Sequence, residues 1–331
     1  MNRTKIGNLI LDTRVSLAPM AGITDYVLRS LVRRYSKTCL LTTEMISSEA
    51  LMQVANTNII KDETHSPIAY QLSGHKPQMM ANAAKILEKH ATIIDINMGC
   101  PVNKVVKGQD GCSLMRNPSL ASDIVKAIKS EVRTPVSVKF RLGYSTDEMN
   151  FVDFGVKMQE AGADFITIHG RTRNQMYSGK ADWQSIRELK KNIDIPVFAN
   201  GDILSVESAI ECLGQSNADG FAVGRGILGD VTLISRIEHY FLTGKILPPP
   251  TLEEKIEILK IHLEEEINLR GEDVGIKFTR KFYPYYIRGI KDAAKYRVAL
   301  VTEGDYNKIL RILDDLMVES VTCEQCIRDF S

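Results

Sequence analysis

The sequence predicts a (β/α)8 TIM barrel of the α/β class, followed by a small C-terminal all-helical domain. Three observations carry this. Eight short β-branched or aliphatic runs each end in a polar or glycine residue, and stretches long enough for a helix separate them. Together they occupy about 230 residues, the size expected of such a barrel. Beyond them, the three prolines of Leu247-Pro248-Pro249-Pro250-Thr251 cannot continue a helix, so the chain must leave the barrel in extended form.

In order, the strand segments are Val15 to Ala18, Leu40 to Glu44, Ile68 to Leu72, Ile93 to Asn97, Val136 to Arg141, Phe165 to His169, Val197 to Asn200 and Phe221 to Gly224. Short apolar runs alternating with helices suit a parallel sheet covered on its outer face. Gln71, Asn97, Lys139, Arg141, His169, Asn200 and Arg225 stand at the strand ends, where barrels carry their chemistry. A barrel used only as a scaffold would not need so many polar groups there. After the prolines, Thr251 can cap a helix with Glu253 and Glu254 in its first turn. Leu252, Ile256, Leu259, Leu263 and Ile267 then recur at helical spacing. Helix is expected to about Val318, interrupted at Gly271 and again near Val301 to Asp305. The predicted domains are therefore a barrel over 1–246, a helical domain over 247–320 and a flexible tail over 321–331.

The 331 residues are 25% charged and 44% hydrophobic, as in a soluble globular protein. No run approaches the roughly 18 apolar residues of a membrane span. The start Met-Asn-Arg-Thr-Lys-Ile-Gly lacks the apolar core of a signal peptide, so a cytoplasmic protein is expected. Six scattered cysteines fit reduced thiols better than a disulfide framework. Cys323 and Cys326 form a CxxC, but no second pair or nearby histidine completes a metal site, and none is predicted. No long unpaired apolar helix is evident, so a monomer without an obligate protein partner is expected.

Net charge is only +1, yet Lys277, Arg280, Lys281, Arg288, Lys291, Lys295 and Arg297 face a single acid, Asp292, a local balance of +6. On one continuous helix the first six would fall within about 60° of a common direction. Pro284 and Gly289 are expected to kink such a helix. Phe278, Phe282, Tyr283, Tyr285, Tyr286 and Tyr296 are interleaved. A basic face with aromatics suits phosphate backbones and unstacked bases. The plainer account is a solvated charged face over an aromatic core.

Asp95-Ile96-Asn97-Met98-Gly99-Cys100-Pro101 delivers an amide and a thiol to the end of a buried strand. Cys100 is a candidate proton donor or nucleophile, or simply a small buried hydrophobe. Asn200-Gly201-Asp202 and Gly224-Arg225-Gly226 end the last two strands, where barrels build phosphate sites from backbone amides. A phosphorylated cofactor is expected there. Pro19 and Met20 leave the first strand in a rigid apolar turn suited to a flat ring or to packing.

Six segments in this order resemble the tRNA-dihydrouridine synthases: Leu17 to Asp25, Asn97 to Pro101, Val138 to Gly143, Ile168 to Arg173, Ala199 to Asp202 and Val223 to Gly226. The resemblance covers about residues 5 to 317, and the Arg280-Lys281 region is most like the B-type bacterial members. It implies an FMN enzyme that reduces the C5–C6 double bond of uridines in tRNA, with NADPH or NADH as electron source. Cys100 would then protonate C5. The resemblance places Pro19, Met20, Gln71, Lys139, His169, Asn200, Gly201, Asp202, Gly224 and Arg225 around the flavin. Asn97, Arg141 and Tyr177 would face the uracil. Lys277, Arg280, Lys281, Arg288 and Lys291 would meet the phosphates of tRNA, with no DNA and no membrane as partner. For Lys139 an ion pair or a Schiff-base role stays open. A pyrimidine-reducing flavoenzyme without tRNA, a barrel aldolase and a non-catalytic RNA-binding protein are the rival functions.

Overall fold

The computed structural model describes residues 3–53, 65–290 and 292–329. It begins with an antiparallel hairpin of β1 (Thr4–Ile6) and β2 (Leu9–Leu11). The barrel follows as β3 (Val15–Leu17), α1 (Tyr26–Tyr35), β4 (Leu41–Thr42), β5 (Ile46–Ser47), α2 (Ser48–Gln53), β6 (Ile68–Ser73), α3 (Pro77–Leu87), β7 (Ile93–Met98), α4 (Asn103–Lys107), α5 (Pro118–Glu131), β8 (Val136–Arg141), α6 (Phe151–Glu160), β9 (Phe165–His169), α7 (Trp183–Lys191), β10 (Val197–Asn200), α8 (Val206–Ser216), β11 (Gly220–Val223) and α9 (Leu233–Thr243). Parallel neighbours run β3-β11-β10-β9-β8-β7-β6-β4. The ring closes where the Leu17 amide donates to the Leu40 carbonyl at 2.8 Å and the Leu40 amide to the Val15 carbonyl at 3.1 Å.

The second strand departs from its expected length. The Gln71 amide donates to the Thr43 hydroxyl at 3.0 Å instead of to a backbone carbonyl. That side chain interrupts the ladder, which resumes beside β6 as β5. The β1–β2 hairpin, absent from the sequence reading, has a packing role. Its Ile6 and Leu11 join Leu40, Ala69, Ile93, Phe165 and Phe198 in one buried cluster at the strand starts, which plugs the bottom of the barrel. Inward positions then change from apolar to polar up each strand, as in Ile93, Asp95 and Asn97 of β7 or Phe165, Thr167 and His169 of β9. The intervening Ile94, Ile96, Ile166 and Ile168 are buried on the helix side.

The helical region comprises α10 (Leu252–Arg270), α11 (Glu272–Thr279), α12 (Tyr283–Tyr286), α13 (Ala293–Thr302) and α14 (Tyr306–Asp329). Thr251 caps α10 in a reciprocal pair with Glu254, as its sequence position predicts. Contacts divide the chain into two units, and Gly226–Leu233 groups with Leu247–Ser331 rather than with the barrel. One division falls between Ile246 and Leu247, and Gly226–Leu233 is a further segment of the second unit. Gly229 explains the attachment: at φ +78 a Cβ would stand 2.4 Å from the Tyr285 carbonyl oxygen, so only glycine lets these backbones meet. The backbone of 321–329, expected as a tail, continues α14.

The kinked basic helix is not found as one element. The described residues of 277–297 contribute to three helices, α11, α12 and α13, with Gly289 at φ +82 and Asp292 at φ +55 outside them. Phe282, Tyr283, Tyr286 and Tyr296 are buried, so these four rings build the core of the helical unit rather than a stacking surface. Among the described residues no helix is long and apolar enough to cross a membrane.

Candidate active site

Cys100 follows β7 at the C-terminal end of the barrel. It is half-buried, whereas Cys39, Cys112 and Cys212 are buried. Burial pushes its thiol above the ordinary value, with Arg141 and Lys139 opposing the rise. The loop is held from both sides. The Cys112 amide donates to the Cys100 carbonyl at 3.1 Å, and the Gly99 and Cys100 amides donate to Asn97 Oδ1 at 3.2 and 2.9 Å. Gly111, at φ +60, lies so close that a Cβ would meet the Cys100 carbonyl oxygen at 2.8 Å. Gly111→Ala is therefore expected to shift Cys100 and to slow any reaction that uses it by about tenfold or more; turnover of the variant checks this.

Lys139, Arg141 and His169 crowd the barrel mouth. Burial first, then Arg141, lower Lys139 to about 8, while Asp95 works in the opposite direction. His169 is held well below its ordinary value by burial and by Arg141, Lys139, Arg171 and Arg225, so it is neutral at pH 7. Four cations acting on one imidazole give the barrel mouth a positive field.

The end of β10 and the loop after β9 form its wall. Asn200 Nδ2 donates to the Ala222 carbonyl at 2.7 Å, which fixes the orientation of its amide. Gly201 at φ +117 abuts the His169 ring, which a Cβ would approach to 3.2 Å. Gly224 lies where a Cβ would be 3.8 Å from Met20 Sδ and 3.9 Å from Asn200 Nδ2, so those three positions converge. Pro19 and Met20 are half-buried in the turn before Asp25, which caps α1. Arg225 is more exposed; its guanidinium lies 4.7 Å from the Tyr177 ring centroid and 3.3 Å from Asp202. Tyr177 is 52% exposed at the rim.

Two residues have other commitments than the sequence suggested. Arg141 is buried and donates to the carbonyls of Gly99, Thr172 and Met176 at 3.0, 3.0 and 2.9 Å, so most of its guanidinium braces the loops around Cys100. Asp202 accepts from Arg171 at 2.8 and 2.6 Å and from the Ala181 amide at 2.7 Å. Arg171 itself was not singled out by the sequence reading. It is buried, and besides Asp202 it reaches His169 Nε2 at 3.3 Å and the carbonyls of Ser178 and Gly179 at 3.1 and 2.6 Å. Its place in Ile168 to Arg173 was a signal, but a loop arginine carries no mark in sequence of the carboxylate it will meet.

Comparison with known proteins addresses what family presents this arrangement. The family model described as "Dihydrouridine synthase (Dus)" matches residues 16–318. The chain belongs to the dihydrouridine synthase family. It is 41% identical to the "Probable tRNA-dihydrouridine synthase 1" of Synechocystis sp. over 96% of this chain and 90% of that one. It is 36% identical to "tRNA-dihydrouridine synthase B" of Pseudomonas aeruginosa over 90% of each chain. Among solved structures, the old yellow enzyme homologue from Zymomonas mobilis aligns with a TM-score of 0.51 at 12% identity, over 77% of this chain and 95% of that chain. A 2-naphthoyl-CoA reductase aligns with a TM-score of 0.58 at 11% identity, over 72% of this chain and 51% of that one. At such identities these structures speak for the barrel alone.

The basic residues of the helical unit are not gathered on one helix. Lys277 and Arg288 are exposed, Arg280 donates to the Glu303 carbonyl at 3.0 Å, and Lys281 Nζ stands 3.1 Å from the Phe278 ring centroid. Lys291 lies outside the described residues. Side chains of Cys323 and Cys326 do too, and among the described residues no three His, Cys, Asp or Glu side chains are grouped to hold a metal.

Proposed function

We propose that this chain reduces specific uridines of tRNA to 5,6-dihydrouridine with FMN as cofactor and NADPH, or NADH, as electron source. The observation that carries the reading is a half-exposed thiol, Cys100, at the lip of a cationic barrel mouth in a chain of the dihydrouridine synthase family.

The mouth suits FMN. Lys139 is an ammonium with no hydrogen bond among the described residues, and beside it stands a neutral imidazole, a pair suited to an electron-rich ring edge. Pro19, Met20 and Gln71 would frame the ring. Asn200, Gly201 and Gly224 would take the ribityl chain, and Arg225 with its neighbouring amides the phosphate. Asp202 repels a phosphate and would instead buttress Arg225. When bound and reduced, FMN supplies the hydride that enters uracil C6. Cys100 gives its Sγ proton to C5 from the lip of the mouth, so one hydride and one proton complete the saturated ring. A raised thiol pKa keeps that proton in place at neutral pH. Asn97 keeps one N–H for a uracil carbonyl, Arg141 holds the surrounding loops and Tyr177 offers a ring to the extruded base.

The test is incubation with FMN, NADPH and unmodified bulk tRNA, with dihydrouridine located by nucleoside mass spectrometry. Product at one or two D-loop positions supports the reading. Bound, reducible flavin without dihydrouridine would favour the small-molecule pyrimidine reductase.

Two further results are expected. Lys277, Arg280, Lys281, Arg288 and Lys291 would hold tRNA phosphates, so turnover on tRNA should fall by about tenfold or more between 50 and 200 mM salt while flavin reduction by NADPH does not. Equal loss of both would remove the helical unit from the tRNA site. FMN binding should also depend on Lys139. Its folded value is lowered, so its charge is present below pH 8 and lost above. The FMN dissociation constant, read by fluorescence quenching, should rise as pH passes about 8. Lys139→Met should bind weakly at every pH and lose that dependence.

A further inference from the structure

Asp95 lies inside the barrel, is 4% exposed and is not itself among the residues placed at flavin or uracil. Its carboxylate accepts from the Ser137 hydroxyl at 2.5 Å and from Gln71 Nε2 at 2.7 Å. Gln71 Oε1 accepts from Asn97 Nδ2 at 2.8 Å. Asn97 Oδ1 then receives the Gly99 and Cys100 amides. The chain is continuous from the middle of the barrel to the reactive loop. We propose that Asp95 is a positioning residue, whose carboxylate anchors the Gln71–Asn97 chain and through it holds the backbone at Cys100 in the orientation that presents the thiol.

The argument rests on direction. Either amide, taken alone, can turn by 180° and exchange its donor for its acceptor. Burial raises Asp95 to about 6 against the bonds from Ser137 and Gln71, so it is ionised at neutral pH; an ionised carboxylate can only accept, and a peptide N–H can only donate. These two fixed ends demand the same direction of every bond between them, so the chain admits one arrangement. Gln71 and Asn97 are buried, and no other acceptor among the described residues takes the Gln71 N–H. Without Asp95, the Gln71 amide loses its anchor and can pull away from Asn97 or turn its own N–H toward the Asn97 carbonyl oxygen, competing with Gly99 and Cys100. Asp95, Ser137 and Lys139 also line one cavity of about 10 Å³, so the anchor sits beside the ammonium of the mouth. Gln71 and Asn97 thereby keep a second task beside any contact with flavin or uracil.

The inference rests on Cys100 as the proton donor for its catalytic meaning, but its test needs neither tRNA nor flavin. Amide hydrogen exchange at Gly99 and Cys100 is measured in the FMN-free protein for wild type, Asp95→Ala, Asp95→Asn and Gln71→Leu. Asp95→Ala and Gln71→Leu should each speed exchange at these two amides by about tenfold, one net hydrogen bond, and leave the Phe165–His169 amides unchanged. Asp95→Asn should give protection between that of Asp95→Ala and that of wild type, because its Oδ1 can still accept from Gln71 but its amide can also turn. In the loaded enzyme, Asp95→Ala should slow uridine reduction by a larger factor than flavin reduction by NADPH, which Gln71 and Lys139 also serve. If Asp95→Ala does not fold, Gln71→Leu carries the same expectation. Unchanged exchange at Gly99 and Cys100 in whichever of the two folds would overturn the proposal. Failure of wild type to make dihydrouridine would overturn only the reading of the reaction.

Discussion

Cys100→Ala is expected to lower dihydrouridine formation by about 10²–10⁴-fold, the usual contribution of a positioned general acid, and to leave FMN bound. The expectation follows from the placement of the thiol. Among the described cysteines Cys100 is the one that is not buried, and Cys39, Cys112 and Cys212 are held by burial near 12, out of reach of acid–base work at neutral pH. The direction of the Cys100 shift fixes the pH profile. A raised value means the donor form persists through neutral and mildly alkaline pH, and the limb due to its loss lies above the ordinary thiol value of 9.0. Cys100→Ala should abolish that limb, whereas Cys112→Ala should retain both rate and profile. Position-resolved nucleoside mass spectrometry measures the first, and initial rates between pH 6 and 10 the second. Wild-type turnover by Cys100→Ala would return the barrel to a role without a thiol acid.

Arg171→Met is expected to cost about 2–3 kcal/mol of stability and to weaken FMN binding. Removing one member of a buried ion pair leaves the other charge uncompensated, commonly at about 3–5 kcal/mol. The Asp202 side chain is 24% exposed and keeps its bonds from the Ala181 amide and Arg225, so the lower figure applies. Met fills most of the vacated volume and isolates the polar loss. The Ser178 and Gly179 carbonyls lose their donor as well, freeing the loop that carries Tyr177. Urea unfolding followed by circular dichroism gives the stability, and fluorescence titration the FMN affinity. A change under about 0.5 kcal/mol would place the pair among screened surface contacts.

Seven of the eight strands were legible in the sequence, because each is an apolar run whose alternate residues must be buried on opposite faces. The second was cut short by an event no local pattern encodes, the Thr43 hydroxyl taking the Gln71 amide. Site residues divide in the same way. Cys100, Lys139 and His169 stood out because chemically costly groups ended buried strands. Arg171 and Asp95 did not, since an arginine in a loop and an aspartate within a strand acquire meaning only from Asp202 in the one case and Gln71 in the other. The aromatic residues of 278–296 show the opposite error: their spacing suggested a surface for bases, but four of them close the core of the helical unit.

The sequence by itself determined the barrel, the extended exit at Pro248 to Pro250, the capped helix after Thr251 and the ordered motifs that mark the family. These follow from local backbone chemistry and from hydrophobic periodicity, both of which are written along the chain. Only the tertiary structure decided which polar groups serve each other. The Asp95–Gln71–Asn97 chain, the Arg171–Asp202 pair and the cluster of cations around His169 join residues from different strands and loops. Their strength comes from burial at short range, and burial is a property of the assembled barrel.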